Sequence, residues 1–143
     1  MIEYITHKKE TLAIIVRSGY LKKKGINFFT EKKLTQQVAF MHHPKNHIIK
    51  PHFHKNSIRK INSTTEVLII LNGVLRINFY NKKKSYLFGK TAKTKDIVIL
   101  LTGGHGFKVV KNCKLIEVKQ GPYNESKDKI RFYIHELKNS FFR

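Results

Sequence analysis

His52 and His54 stand one residue apart in the stretch "IIKPHFHK", and a lone glutamate, Glu66, follows inside the apolar run "TEVLIIL". Side chains alternate along an extended strand, so two histidines at this spacing project the same way and can reach one ion or one ligand. Taken alone, the pair reads equally well as two exposed or backbone-bonded imidazoles. Glu66 sharpens the question. The chain has nine Asp and Glu against 29 Lys and Arg, yet it sets one carboxylate among Val, Leu and Ile. A buried carboxylate is costly unless it is protonated, paired or bound to a cation. The histidines offer a reason for it to be there.

Other residues that could do chemistry are less pointed. Glu117, in "KLIEVKQ", is a second carboxylate within a strand-like run, open to a role as general base or as an outward partner for lysine. Asp96 opens the run "DIVILL" and is expected to hydrogen-bond nearby backbone at a turn. His42, His43 and His47 surround Pro44 and are expected to be exposed at a turn rather than to form a second metal cluster. Tyr123 follows Gly121-Pro122 and either borders the site or simply ends the domain. Cys113 has no base near it in sequence, and no nucleophile triad, phosphate-cradling glycine loop or dinucleotide fingerprint is present.

The elements that must position these residues read as strands. Short runs rich in Ile, Val, Phe and Tyr recur ("TLAIIV", "INFF", "TQQVAFM", "HIIKPHFH", "TEVLIIL", "VLRINFY", "SYLF", "DIVILL", "FKVV", "KLIEVK"), divided by Asn-Gly, Gly-Gly and lysine-rich breaks. They predict an all-β fold of one domain over residues 1–143, an antiparallel sandwich or barrel. Only "DKIRFYIHELKNSFF" near the end could hold a helix. Asn72-Gly73 predicts a two-residue hairpin, because both residues tolerate the positive φ that such a turn needs. That register puts Glu66, Leu68 and Ile70 on one face with Leu75, Ile77 and Phe79, the more uniformly apolar face and so the interior. The opposite face carries Val67, Ile69, Leu71 and Val74 beside Arg76 and Asn78.

The net charge of +20 admits a nucleic-acid partner, but the basic residues are mostly lysines scattered from Lys8 to Arg143, with triplets at Lys22–Lys24 and Lys82–Lys84 beside turns. Without a helix-turn-helix, zinc-finger or aromatic RNA-binding pattern, a solvated surface is the better reading, and nucleic acid is not the expected partner. The longest apolar runs stop at about five residues, far short of a spanning helix. The opening has no apolar core of a secretory signal, and one cysteine builds no disulfide framework. A cytoplasmic protein without a membrane role is expected.

The spacing from the histidine pair to Glu66 and on to Gly73 resembles the first motif of the cupin superfamily: His-x-His, a spacer, Glu, six residues, Gly. The spacer here is eleven residues, against the three or four usual in the family. The second motif is matched loosely in "KDIVILLTGGHGFKVVKN": Gly103 matches, His105 comes one residue early, Lys95 and Leu101 replace Gly and Pro, and Val109 replaces Asn. The ending "IEVKQGPYNESKDKIRF" is similar to a group of small bacterial cupins, some of which occur beside surface-polysaccharide genes. The resemblance implies a single jelly-roll-like barrel, often homodimeric. It also implies one divalent transition metal ion (Fe, Mn, Ni, Zn or Co) held by His52, His54, Glu66 and His105. It does not name a reaction. A metal-dependent isomerase, epimerase or oxygenase acting on a small polar or anionic, sugar-derived metabolite fits, as does a ligand-binding or sensor protein.

Two expectations follow from that architecture. Residues 55–65 must leave the rim of the site and return, so Ile58 and Ile61 could fold this spacer over the entrance as a lid. Arg59 would then orient an anionic ligand through its planar fork. The outward face of Val67, Ile69, Leu71 and Val74, or the run "TLAIIV", is apolar enough to predict a cover from a second subunit.

Overall fold

The computed structural model describes residues 1–21 and 23–133, with the side chains of residues 125 and 127 left aside. The strands are β1 (Ile2–His7), β2 (Glu10–Val16), β3 (Gly25–Phe28), β4 (Ala39–His42), β5 (Glu66–Tyr80), β6 (Tyr86–Lys93), β7 (Ile97–Leu100) and β8 (Gly104–Lys119). A 3-10 turn (Ser18–Tyr20) and one α-helical turn, α1 (Glu125–Asp128), complete the elements. Every ladder is antiparallel, and the all-β expectation holds. Most of the run expected to be able to hold a C-terminal helix, residues 134–142, lies outside the described residues. Among those described, no helix is long and apolar enough to cross a membrane.

The main sheet runs β1-β2-β7-β5-β6, with β8 on the other edge of β5; β3 and β4 form a separate pair. β5 is its axis. On one side its first half pairs with β7 (Glu66 opposite Leu100) and its second half with β6 (Leu75 opposite Ala92). On the other side β8 follows nearly its whole length, from Glu66 opposite Lys119 to Tyr80 opposite Gly104. Leu68, Ile70, Leu75, Ile77 and Phe79 of β5 join Leu12, Ala13, Ile15, Val98 and Leu100 in one core. Ile14, Val16, Val67, Ile99 and Phe29 form a second core on the opposite face of the sheet.

Asn72-Gly73 is therefore not a hairpin turn. β5 continues through it, because partners on both edges satisfy its two halves, and the pair becomes an irregularity where the β5–β8 register shifts. Gly73 adopts φ +96°, its N–H donates to the Thr94 hydroxyl at 3.0 Å, and its own carbonyl accepts from the Thr94 N–H at 3.1 Å. An extra residue reverses the alternation of faces just as a two-residue turn does. Glu66, Leu68 and Ile70 thus still share the inner face with Leu75, Ile77 and Phe79, as expected, and all six are buried.

Two other expectations change. The run "HIIKPHFH" forms no strand: residues 43–65 are without helix or ladder, in a stretch where Pro44 and Pro51 each withhold a backbone donor. The apolar outer face is covered largely by the chain itself, since Val67 lies in the second core with Ile69 packed against it. Leu12 to Val16 are likewise buried inside the sheet. Leu71 of the outer face stays half exposed and Val74 partly buried.

Asp96 meets its expectation and exceeds it. Its carboxylate, 3% exposed, accepts from the backbone N–H groups of Ser18 and Lys93, both at 3.0 Å, and from Arg17 Nη1 at 2.8 Å. Arg17 also donates from Nε to Glu3 at 2.7 Å and from Nη1 to the Thr91 carbonyl. This knot ties the end of β2 and the chain beyond it to the β6–β7 turn. Asp96→Asn replaces an acceptor by an amide donor facing these N–H groups, and is expected to cost about 2 kcal/mol, within the range for hydrogen bonds to charged groups. Chemical denaturation checks it; an unchanged midpoint would remove the knot from the account.

Candidate functional site

Glu66 opens β5 and His105 lies near the start of β8, two strands that pair side by side. His105 sits opposite Phe79 and Lys119 opposite Glu66, so all four point to the same face. Glu66 is 6% exposed, and its Oε2 lies 3.0 Å from His105 Nε2. Hydrogen bonding from His105 holds the Glu66 carboxyl below the ordinary glutamate range. Burial pushes the other way, and the charges of His105, Lys129 and Lys119 add to the lowering. An ionised carboxylate only accepts, so Nε2 carries a proton and donates it; in the neutral form of the ring Nδ1 is then the acceptor.

The pair lies in a cavity of about 740 Å³. Its wall runs from Ser63 and Thr64 through the "GGHGF" turn to Lys119, Tyr123 and the chain after α1. The glycines beside His105 have packing reasons. Gly103 turns the chain at φ +79°, and a Cβ on Gly104 would lie 3.1 Å from Tyr80 Cβ and 3.5 Å from Phe132 Cζ. Tyr80 meets the Phe132 ring edge-on at 5.4 Å, which makes an aromatic wall. Gln120 holds the approach to Glu66 by accepting from the Thr65 N–H at 2.7 Å and donating to the Thr35 hydroxyl at 3.2 Å.

The candidate residues divide. Glu66 and His105 meet, and Tyr123 lines the same cavity. His52 and His54 meet each other, ring edge to face at 5.3 Å, with His52 Nδ1 2.9 Å from the Lys50 carbonyl. Both are exposed and neither lines the Glu66 cavity. Arg59 and His54 border a separate groove formed by residues 54–59. The spacer does not fold its isoleucines over the cavity: Ile58 is fully exposed and Ile61 about half. Glu117 takes the plainer of its two readings, 3.9 Å from Lys119 Nζ and outside the cavity wall. His43 and His47 stack at 4.1 Å, and no third ligand joins them among the described residues.

A resident metal can be tested against this geometry. Among the described residues, no three His, Cys, Asp or Glu gather to hold an ion. Glu66 and His105 supply two donors already committed to each other, so the residues as placed do not fit the four-ligand centre. Tyr80, Lys119, Lys129 and Phe132 are site residues that sequence reading passed over. Lys119 is recognisable only once the register sets it across from Glu66, and Tyr80 only once the bulge at Gly73 is known. No family model, curated protein or solved structure matches the chain.

Proposed function

We propose that this chain is a cupin-like enzyme that moves a proton on a small anionic, sugar-derived metabolite. The supporting observation is the pairing of buried Glu66 with partly buried His105 in a cavity walled by aromatic rings and lysines. A carboxylate that fixes one nitrogen of an imidazole leaves the other to take up or deliver a proton. Aromatic walls suit the apolar face of a sugar ring, and the lysines suit its anionic substituent. The chemistry that matches is proton abstraction beside a carbonyl: His105 Nδ1 takes the proton from carbon and the electron pair passes to the carbonyl oxygen. The proton then returns to the same carbon, or to the former carbonyl carbon as the adjacent hydroxyl passes its proton to the other oxygen and becomes the new carbonyl. That is an isomerisation or epimerisation. Solvent deuterium should then wash into such a substrate in the presence of the protein and not of Glu66→Gln. Saturable binding without exchange would make the protein a ligand-binding module instead.

A second reading retains the metal, favoured by one observation. The outer edge of β8 has no neighbour among the described residues, and it begins beside His105. An unpaired edge accepts an added strand, and the strand-like run of residues 47–54 carries His52 and His54. Zn²⁺ titration is then expected to shift the ring resonances of His52, His54 and His105 together, saturating at about one ion per chain, because thermodynamic coupling makes ligand gathering and metal binding one event. His52→Ala should abolish the shared response. Saturation at His105 with His52 and His54 unmoved would dismiss the four-ligand centre.

A further inference from the structure

Tyr123 carries two ammonium groups on one ring. Lys119 Nζ lies 4.3 Å from the ring centroid and Lys129 Nζ 5.9 Å, and all three residues line the cavity that holds Glu66 and His105. The lysines arrive from different elements, Lys119 from the last position of β8 and Lys129 from the residue after α1. Lysine side chains lose considerable rotamer freedom when held in place. A shared aromatic ring holds the heads by cation–π attraction while their outer hydrogens stay available to a ligand. Among the described residues, acidic side chains do not saturate them. Glu117 reaches Lys119 only at 3.9 Å, the edge of an ion pair. Asp128, also in the cavity wall, accepts from the backbone N–H of Asn124. Glu66 is bound to His105, although the charges of both lysines act on it, which places them electrically close to the reacting pair.

We propose that Lys119 and Lys129, braced on Tyr123, form a clamp for a phosphate ester and set the substrate class of the cavity. Two positive charges match a dianion, and strongly hydrated, rotatable ammonium donors suit the three oxygens of a phosphate as point-charge partners. Cross-strand pairing keeps Lys119 beside Glu66, so a phosphate gripped there positions its sugar against the Glu66–His105 pair. Tyr123 is a positioning residue in this arrangement. The inference rests on the acid–base reading of the same cavity but is separable from it.

Calorimetric titration at low ionic strength tests the clamp, with glucose 1-phosphate as probe and glucose as its uncharged counterpart. Lys119→Met and Lys129→Met keep the apolar stems of side chains that reach the surface, and are expected to leave the fold intact. Each should weaken glucose 1-phosphate binding at least fivefold, and the double variant at least twentyfold. Lys119→Arg should recover most of the loss, and glucose should not respond to any of these changes. Tyr123→Leu should weaken the phosphate ester and leave glucose unaffected. Equal affinities in wild type and both methionine variants would overturn the clamp, as would wild-type protein that binds neither glucose 1-phosphate nor inorganic phosphate. If the lysine variants bind normally while the ester still perturbs the His105 ring, the clamp fails and the acid–base reading stands. If they bind weakly but the ester leaves the ring unperturbed in wild type, the clamp stands and the acid–base reading fails.

Discussion

Gly73→Ala is expected to cost about 4 kcal/mol, among the larger losses a single substitution produces. Two causes add. At φ +96° a Cβ meets the following carbonyl, a strain of about 1–2 kcal/mol per residue. The new methyl would also overlap the backbone of β8 at the Asn112 carbonyl and lie 2.7 Å from Cys113 Cα. Backbone cannot rotate aside as a long side chain can, so β5 and β8 must separate where their register already shifts. Asn72→Ala should stay within about 1 kcal/mol, because Asn72 is exposed and has φ in the ordinary range. Urea unfolding of both variants checks the contrast. Similar small losses would indicate an isolated turn with no second backbone against it.

That contrast also marks how far the sequence could be read. Asn-Gly between two apolar runs signals positive φ at both residues and a reversal of facing parity; the reversal is present, and the positive φ is found at Gly73 but not at Asn72. Whether the chain turns back or continues with a bulge depends on which strands lie alongside. Those neighbours, β6, β7 and β8, begin only at Tyr86, Ile97 and Gly104, and they pair with β5 through contacts that local sequence does not encode. The same distinction separates the site residues. Glu66 stood out because burial of an acid demands a partner, and that demand is a local property of its run. Its lysine neighbour Lys119 is one of 29 basic residues and acquires its place only from the register. His52 and His54 had the opposite fate: their spacing is eye-catching, but spacing aligns two side chains only when the backbone is extended against a sheet. Residues 43–65 have no ladder.

Removing His105 should show what its bond to Glu66 does. In His105→Leu the carboxylate keeps its burial and loses its first hydrogen-bond donor, so the variant should be about 3 kcal/mol less stable than wild type at pH 7. The sign reverses the usual acid response. In wild type the folded Glu66 carboxyl titrates below its unfolded range, so its contribution is fully present above that range and is lost as pH falls through the folded value. In the variant burial dominates and the carboxyl should titrate above its unfolded range. Acidification then protonates the unpaired group and relieves the penalty. The stability difference between the two proteins should shrink as pH falls from 7 through the carboxylate range. Glu66→Gln/His105→Leu, which carries no buried acid, should show no such convergence with the Glu66→Gln parent. A His105→Leu deficit that stays constant with pH would mean that lost packing, and not an orphaned carboxylate, explains it.

The central claim, that Glu66 and His105 act as one proton-handling pair in a ligand-binding cavity, is tested most directly by long-range ¹H–¹⁵N correlation of the histidine rings in the metal-free protein. Of the eight histidines, His105 is expected to show the Nε2–H tautomer whenever its ring is neutral. Its Nδ1 resonance should then shift saturably as glucose 1-phosphate is added, while His52 and His54 stay in place. Glu66→Gln should release the tautomer, giving the averaged ring resonances of a solvated imidazole. An averaged His105 ring in the wild-type protein, or a ligand that moves His52 and His54 and leaves His105 unchanged, would contradict the account.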